Sequence, residues 1–390
     1  MASTLKDQDQ DPTNILIYGL GAIGSFYAFI LDRARSRSRS AEEKEKEREK
    51  EKNIRLTVVA RSNYDVVKKD GLRVFSERYG EGSVRPWEVV KSPAEATTKI
   101  FDYVICATKA IDLERTAEEL DPVVISSRGC DGDGDEDGDE GKDKGKGEKT
   151  TIVIIQNGVG NEDVFRERFP GNEIISCVTW VGASQPSPGI IHHGTSENTQ
   201  MGIYLPPLPP PMNNDDDDDD DDDDGTAKAR ESLSLDRFAN LLRRGGTPVE
   251  VFVDKDVQVA RWEKVVWNAA WNSLTTLTDL DTHSWLDSSV DAEPLTRKLM
   301  GEVISVAQAS GVGGIDGDGD LVDRLMEKIK GMESIGSSMQ VDRRNGRPME
   351  VEVILGHVVR KGRELGVGIG VLETVYVLLG GINRRFLGEE

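Results

Sequence analysis

The sequence predicts an α/β domain of Rossmann type followed by an all-α domain, on three observations. Short β-rich runs alternate with helical stretches through the first half, a glycine fingerprint closes the first of those runs, and beyond about residue 254 the periodicity is wholly helical. A chain of 390 residues is long enough for two domains, each with its own core.

Residues 1–12 are polar and acidic and read as a disordered tail; a secretory or mitochondrial presequence would be basic and apolar or amphipathic, so a cytoplasmic location is expected. NILIY (14–18) is the first strand, and 23–31 has helical spacing. IRLTVVA (54–60), YVICA (103–107) and TIVII (151–155) are further continuous apolar runs, the signature of parallel strands covered on both faces. Three stretches, 32–52, 131–148 and 206–230, lack the apolar residues that would offset the entropy of ordering, and read as solvated insertions within a dinucleotide-binding domain spanning 13–254, disordered or, for EEKEKEREKEK, an exposed helix held by i,i+4 pairs. Helical periods at 257–280, 294–310, 321–332, 347–365 and 372–386 then build the second domain, 255–390. The cleft between the two domains is the expected place for a ligand.

The chain carries 71 acidic and 49 basic residues, a formal charge of −22. That balance argues against nucleic acid or an anionic membrane as the principal partner, although most of the surplus lies in the aspartate run 215–224 and in 131–148 and the remainder is ordinary. No apolar run reaches the roughly 18 residues of a membrane span. Cys106, Cys130 and Cys177 are odd in number and form no C-x-x-C, so spacing supports neither a disulfide framework nor a zinc site. Asp133-x-Asp135-x-Asp137-Gly138 imitates a calcium loop but ends on Lys144, and Asp316-x-Asp318-x-Asp320 has Leu321 where the turn needs glycine, so no metal is expected. His192-His193 reads as loop.

Gly19-Leu20-Gly21-Ala22-Ile23-Gly24 follows the first strand and opens the first helix, the setting a dinucleotide fingerprint requires. Gly19 permits the tight turn, Gly21 admits the pyrophosphate to the backbone, and Gly24 lets helix and strand pack closely. The second strand ends in Arg61-Ser62 where an NAD-binding chain would present a carboxylate to the ribose, so NADP(H) is the expected cofactor. Lys109 and Asn157 stand at two further strand ends, where Rossmann ligands bind, suited to hold the nicotinamide ribose and orient a substrate. Lys264, Asn268 and Asn272 recur every four residues along an otherwise tryptophan- and valine-rich helix, a polar stripe that needs partners once buried. Pro348 suits a first helical position, which puts Glu350 in the first turn; Glu352 is the competing carboxylate.

Together these residues resemble the ketopantoate reductase (2-dehydropantoate 2-reductase) family, over nearly the whole chain apart from the insertions. The resemblance implies an NADPH-dependent reduction of a 2-keto acid, ketopantoate, as a step of pantothenate biosynthesis. It assigns GLGAIG to the phosphates and Lys109 and Asn157 to cofactor and substrate. It makes Lys264 the catalytic proton donor, with Asn268, Asn272 and Ser338 holding substrate, and Glu350 orienting Lys264 or the cofactor ribose. Thr282 and Ile335 stand where members often carry asparagine, which leaves a relative acting on another 2-keto acid as an alternative. A non-catalytic NADP-binding sensor is the reading from another class; it would need the glycine loop but not Lys264 beside two asparagines. A small-molecule substrate is the expected partner, and a homodimer is compatible with the sequence.

Overall fold

The computed structural model describes residues 12–36, 54–98, 100–125, 149–205, 232–253 and 256–388. Nearly all of the predicted tail, the insertions from residue 37 onward, and Cys130 lie outside the described residues. The chain divides into two compact units. One comprises Met1–Thr108, Glu114–Gln156 and Glu162–Asp254; the other comprises Lys109–Leu113, Asn157–Asn161 and Lys255–Glu390.

In the first unit the strands are β1 (Thr13–Tyr18), β2 (Ile54–Val59), β3 (Leu72–Ser76), β4 (Gly80–Val84), β5 (Glu88–Val90), β6 (Tyr103–Cys106), β7 (Thr151–Ile154), β8 (Ile174–Thr179), β9 (Ala183–Ser187), β10 (Ile190–His193), β11 (Thr199–Ile203) and β12 (Val249–Phe252). Eight of them form one sheet in the order β12-β11-β8-β7-β6-β1-β2-β5. Every neighbouring pair in it is parallel except β8 with β11. The apolar runs at 14–18, 54–60, 103–107 and 151–155 are its central strands, and β6 and β7 are buried along their whole length.

A second sheet, β4-β3-β10-β9, was not anticipated. It explains why helix α1 (Ala22–Ser36) is buried at every residue from Gly24 to Leu31: α1 packs against the main sheet, the small sheet and helix α5 (Leu233–Gly245) at once. The same packing carries α1 five residues into the stretch predicted to be an insertion, with Ala34 buried and Arg33 Nε donating to Gly245 O at 2.9 Å. His192-His193 is strand rather than loop. His193 is 2% exposed, its Nδ1 lies 2.8 Å from Ser76 Oγ, and its ring stacks on Tyr79, so partners distant in sequence determine its place. Three shorter helices, α2 (Tyr64–Asp70), which packs on β5, α3 (Leu113–Glu118) and α4 (Asn161–Arg168), connect the strands.

The second unit is helical: α6 (Val257–Thr278), α7 (Thr282–Asp287), α8 (Ala292–Ala309), α9 (Leu321–Gly331), α10 (Ser338–Arg344), α11 (His357–Glu364) and α12 (Gly370–Asn383). α6 is its hub, touching α7, α8, α10 and α12, which accounts for unbroken burial from Val265 to Thr276. The expected helix 347–365 starts late. Asn383 holds Met349 by both backbone groups, N to Oδ1 at 2.8 Å and Nδ2 to O at 3.2 Å, and residues 347–350 stay non-helical. A π-turn, Glu352–Gly356, then leads into α11. Glu350 therefore precedes the helix instead of lying in its first turn.

Gly245 makes the α5–α1 approach possible, because a Cβ there would stand 2.3 Å from Ile30 O. Gly245→Ala is expected to destabilise the first unit by about 1–3 kcal/mol through overpacking. Chemical denaturation checks this, and an unchanged midpoint would contradict so close an approach.

Candidate active site

Two sets of candidate site residues stand out, one in each unit. In the first unit β1 runs through Gly19 into α1. Gly19 has φ +103°, and a Cβ there would meet Thr108 N at 2.4 Å; a Cβ on Gly24 would meet Gly19 O at 2.0 Å. Gly21, by contrast, faces open space, with nothing within 4 Å of an added Cβ. Buried Asn63 steadies the turn, its Nδ2 donating to Leu20 O at 2.7 Å. With no acidic residue in the first turn of α1, this cradle fits a dinucleotide pyrophosphate at a helix N-terminus. Arg61, just past β2, has a side chain 61% exposed and donates from Nη2 to the Tyr18 hydroxyl at 2.7 Å.

In the second unit α6 starts at its N-cap Asp256, which accepts from Gln258 N at 2.9 Å. Lys264, two turns in, donates from Nζ to Asn157 Oδ1 at 2.9 Å, while Asn157 Nδ2 donates to Glu350 Oε2 at 3.0 Å. An ammonium on one side and a carboxylate on the other fix which way the amide points. Glu350 Oε1 accepts from Ala110 N at 3.0 Å. Glu352, the competing carboxylate, is exposed and paired with Arg360 and Tyr376. The Asn157 loop is itself clamped. Gly158 has φ +93° and lies against Val353, Arg261 Nη1 donates to Gly158 O at 2.9 Å, and Val159 N donates to Val353 O at 3.0 Å.

Burial and the neighbouring Arg261 guanidinium pull the Lys264 pKa down to about 7, with Lys328 pushing the same way and Glu350 opposing them. Lys328, on α9, lies with Nζ 5.0 Å from the centre of the Trp267 ring, and burial lowers its pKa too. Asn268 Nδ2 and Trp271 Nε1 are buried donors without a hydrogen-bond partner among the described residues. α6 thus combines a near-neutral lysine with unanswered donors, an arrangement that suits a carbonyl and a carboxylate.

The structure brings Lys264, Asn157 and Glu350 together and places Asn268 and Asn272, both buried, on the same helix. It does not join Ser338 to them by any hydrogen bond among the described residues; Ser338 is exposed in the first turn of α10. Lys109 forms an ion pair with Asp342, whose other oxygen accepts from Arg347 Nε at 3.0 Å. Asp342 and Arg261 were not singled out from sequence. Asp342, four residues after Ser338 in a short helix, is buried and is the counter-charge to Lys109.

Two sequence profiles match the chain: "Ketopantoate reductase PanE/ApbA" over residues 15–128 and 143–206, and "Ketopantoate reductase PanE/ApbA C terminal" over 256–383. A 2-dehydropantoate 2-reductase of Halobacterium salinarum is 27% identical over 313 residues, 79% of this chain and 84% of its own. The crystal structure of 2-dehydropantoate 2-reductase from Methylococcus capsulatus is 30% identical with a TM-score of 0.71, covering 96% of this chain and 97% of that one. The corresponding structure from Geobacter metallireducens is 25% identical, TM-score 0.72, covering 94% and 99%. The chain belongs to the ketopantoate reductase family, and with it to the oxidoreductases that bind NAD(P)H on a Rossmann domain.

Because the Glu350 carboxylate holds the Lys264 pKa up, Glu350→Gln should lower it further below about 7. The pH dependence of Lys264 acylation, with Lys264→Met to identify the site, checks this; an unchanged or raised value would remove Glu350 from the lysine's environment.

Proposed function

We propose that this member of the ketopantoate reductase family reduces 2-dehydropantoate to pantoate with NADPH. The observation that carries the reading is the chain of contacts Lys264–Asn157–Glu350, which holds an ammonium of pKa about 7 where a proton is needed at neutral pH. The reduced nicotinamide, when bound, supplies the hydride. The Gly19–Gly24 turn would hold its pyrophosphate and Arg61 its 2′-phosphate, with Lys109, Asn157 and Glu350 proposed at the ribose.

Lys264 polarises the keto oxygen and releases its Nζ proton to that oxygen as alkoxide charge develops. Asn157 and Glu350 keep the ammonium in one position meanwhile. Asn268, Asn272 and Ser338 are proposed to take the substrate hydroxyl and carboxylate; the unanswered Asn268 Nδ2 supports that assignment. A second reading, a reductase of a related 2-keto acid, is favoured by one contact pair. Thr282 and Ile335 bond to each other, Thr282 N to Ile335 O at 3.1 Å and Ile335 N to Thr282 Oγ1 at 3.2 Å, so neither backbone N–H is left for substrate. NADPH consumption with 2-dehydropantoate beside a panel of 2-keto acids separates the two readings.

The ammonium is depleted as pH rises through about 7, so kcat/KM for reduction should fall about tenfold per unit above that point, while oxidation of the alcohol gains. Lys264→Met should lower turnover by about 100- to 10,000-fold and leave NADPH binding intact. Normal turnover in the purified variant would reject the proton-donor role.

Arg61→Ala should weaken NADPH by about one to two decades, the value of a charge-assisted contact of about 1.5–3 kcal/mol, and leave NADH unchanged. Titration of both cofactors decides it; equal NADPH affinity in the two proteins would remove Arg61 from the site.

A further inference from the structure

Arg61 does not stand alone at the end of β2. Its Nη2 donates to the Tyr18 hydroxyl at 2.7 Å, its guanidinium carbon lies 5.4 Å from the centre of the Tyr18 ring, and the Tyr18 hydroxyl donates in turn to Glu119 Oε2. Arg115 Nε holds the other Glu119 oxygen at 2.9 Å. Tyr18 is buried, and as the last residue of β1 it directly precedes Gly19, so its ring moves with the phosphate turn. Glu119 lies 3.7 Å from Arg61, beyond hydrogen-bond reach. The group that anchors Arg61 is therefore the tyrosine hydroxyl, and the carboxylate serves to aim that hydroxyl.

We propose that Tyr18 is a positioning residue for cofactor choice: its hydroxyl, aimed by Glu119, holds the Arg61 guanidinium beside the glycine turn with its remaining N–H groups presented to a 2′-phosphate. An exposed arginine ordinarily loses side-chain entropy when it captures a ligand; one already anchored through a single N–H has lost much of it beforehand. The phenol is equipped for this, since burial and the Glu119 carboxylate raise its pKa and keep it a donor. Burial opposes ionisation of Glu119, yet Tyr18, Arg115 and Arg61 bring its pKa net below the usual value, so it remains an acceptor. The inference rests on Arg61 reading the 2′-phosphate as proposed above.

The test is a double-mutant cycle with NADPH and NADH titrated against wild type, Tyr18→Phe, Arg61→Ala and the double variant. Tyr18→Phe should weaken NADPH about three- to tenfold, the worth of one hydrogen bond, leave NADH unchanged, and have no further effect once Arg61 is alanine. Equal loss for both cofactors would make Tyr18 a support of the turn and overturn the proposal. Loss of NADPH affinity in Arg61→Ala but not in Tyr18→Phe would overturn it while sparing the cofactor reading; no loss in either would remove that reading itself. Glu119→Gln supplies a second handle. It keeps an acceptor for Tyr18 and removes a charge that opposes the phosphate, so NADPH should bind up to about fivefold tighter with NADH unchanged. Weaker NADPH binding in that variant would make Glu119 the true anchor of Arg61 and sink the assignment.

Discussion

The candidate site of the second unit is held together by one side-chain amide. Asn157 accepts from an ammonium through Oδ1 and donates to a carboxylate through Nδ2, so it transmits position between Lys264 and Glu350 without letting them form a direct ion pair. A direct pair would hold the lysine proton more tightly and raise its pKa. The intervening amide keeps the carboxylate near enough to orient the lysine and leaves burial dominant, which is why the pKa sits at about 7. The backbone serves that amide: Gly158 adopts φ +93°, where its carbonyl reaches Arg261 and its Cα rests against Val353. Any side chain at 158 would displace the loop that carries Asn157.

Charge explains the surroundings. Arg261 and Lys328 both act on Lys264, opposed by Glu350, and Lys109 is answered by Asp342. A fold indifferent to ligands gains little from two cations that depress the pKa of a buried lysine, or from buried donors left unanswered on the same helix. Both features suit the anionic substrate proposed above.

Much of this was legible in the sequence because it is local. The glycine turn, the four central strands and the Lys264 stripe each follow from spacing within a dozen residues, and each formed where expected. What sequence missed is long-range. The small sheet pairs β3 with β10, more than a hundred residues apart, so His193 read as loop until Ser76, Phe26 and Tyr79 surrounded it. Glu350 was expected in a helix because Pro348 suits a first turn; Asn383, thirty-four residues on from Met349, overrode that preference with two backbone contacts. Asp342 carries no local signal; burial and an ion pair with Lys109, 233 residues away, give it its place.

Thr282 and Ile335 bear on what the site can discriminate. The Thr282 hydroxyl and both backbone groups of Ile335 are committed to each other across the start of α7 and the segment before α10, with Thr282 fully buried. They act as a structural tie, and an asparagine amide at either position would have to replace that tie or project beyond it. A site that discriminates by hydrogen bonds rejects analogues by orders of magnitude, whereas one relying on apolar fit rejects them only modestly. With these two positions tied to each other, the proposed function leaves discrimination among 2-keto acids to the α6 stripe, where Asn268 and Asn272 are buried and the Asn268 amide donor is unanswered among the described residues. On that proposal the reaction class rests on Lys264 and its anchors, and substrate preference on a separate pair of amides one and two turns along the same helix.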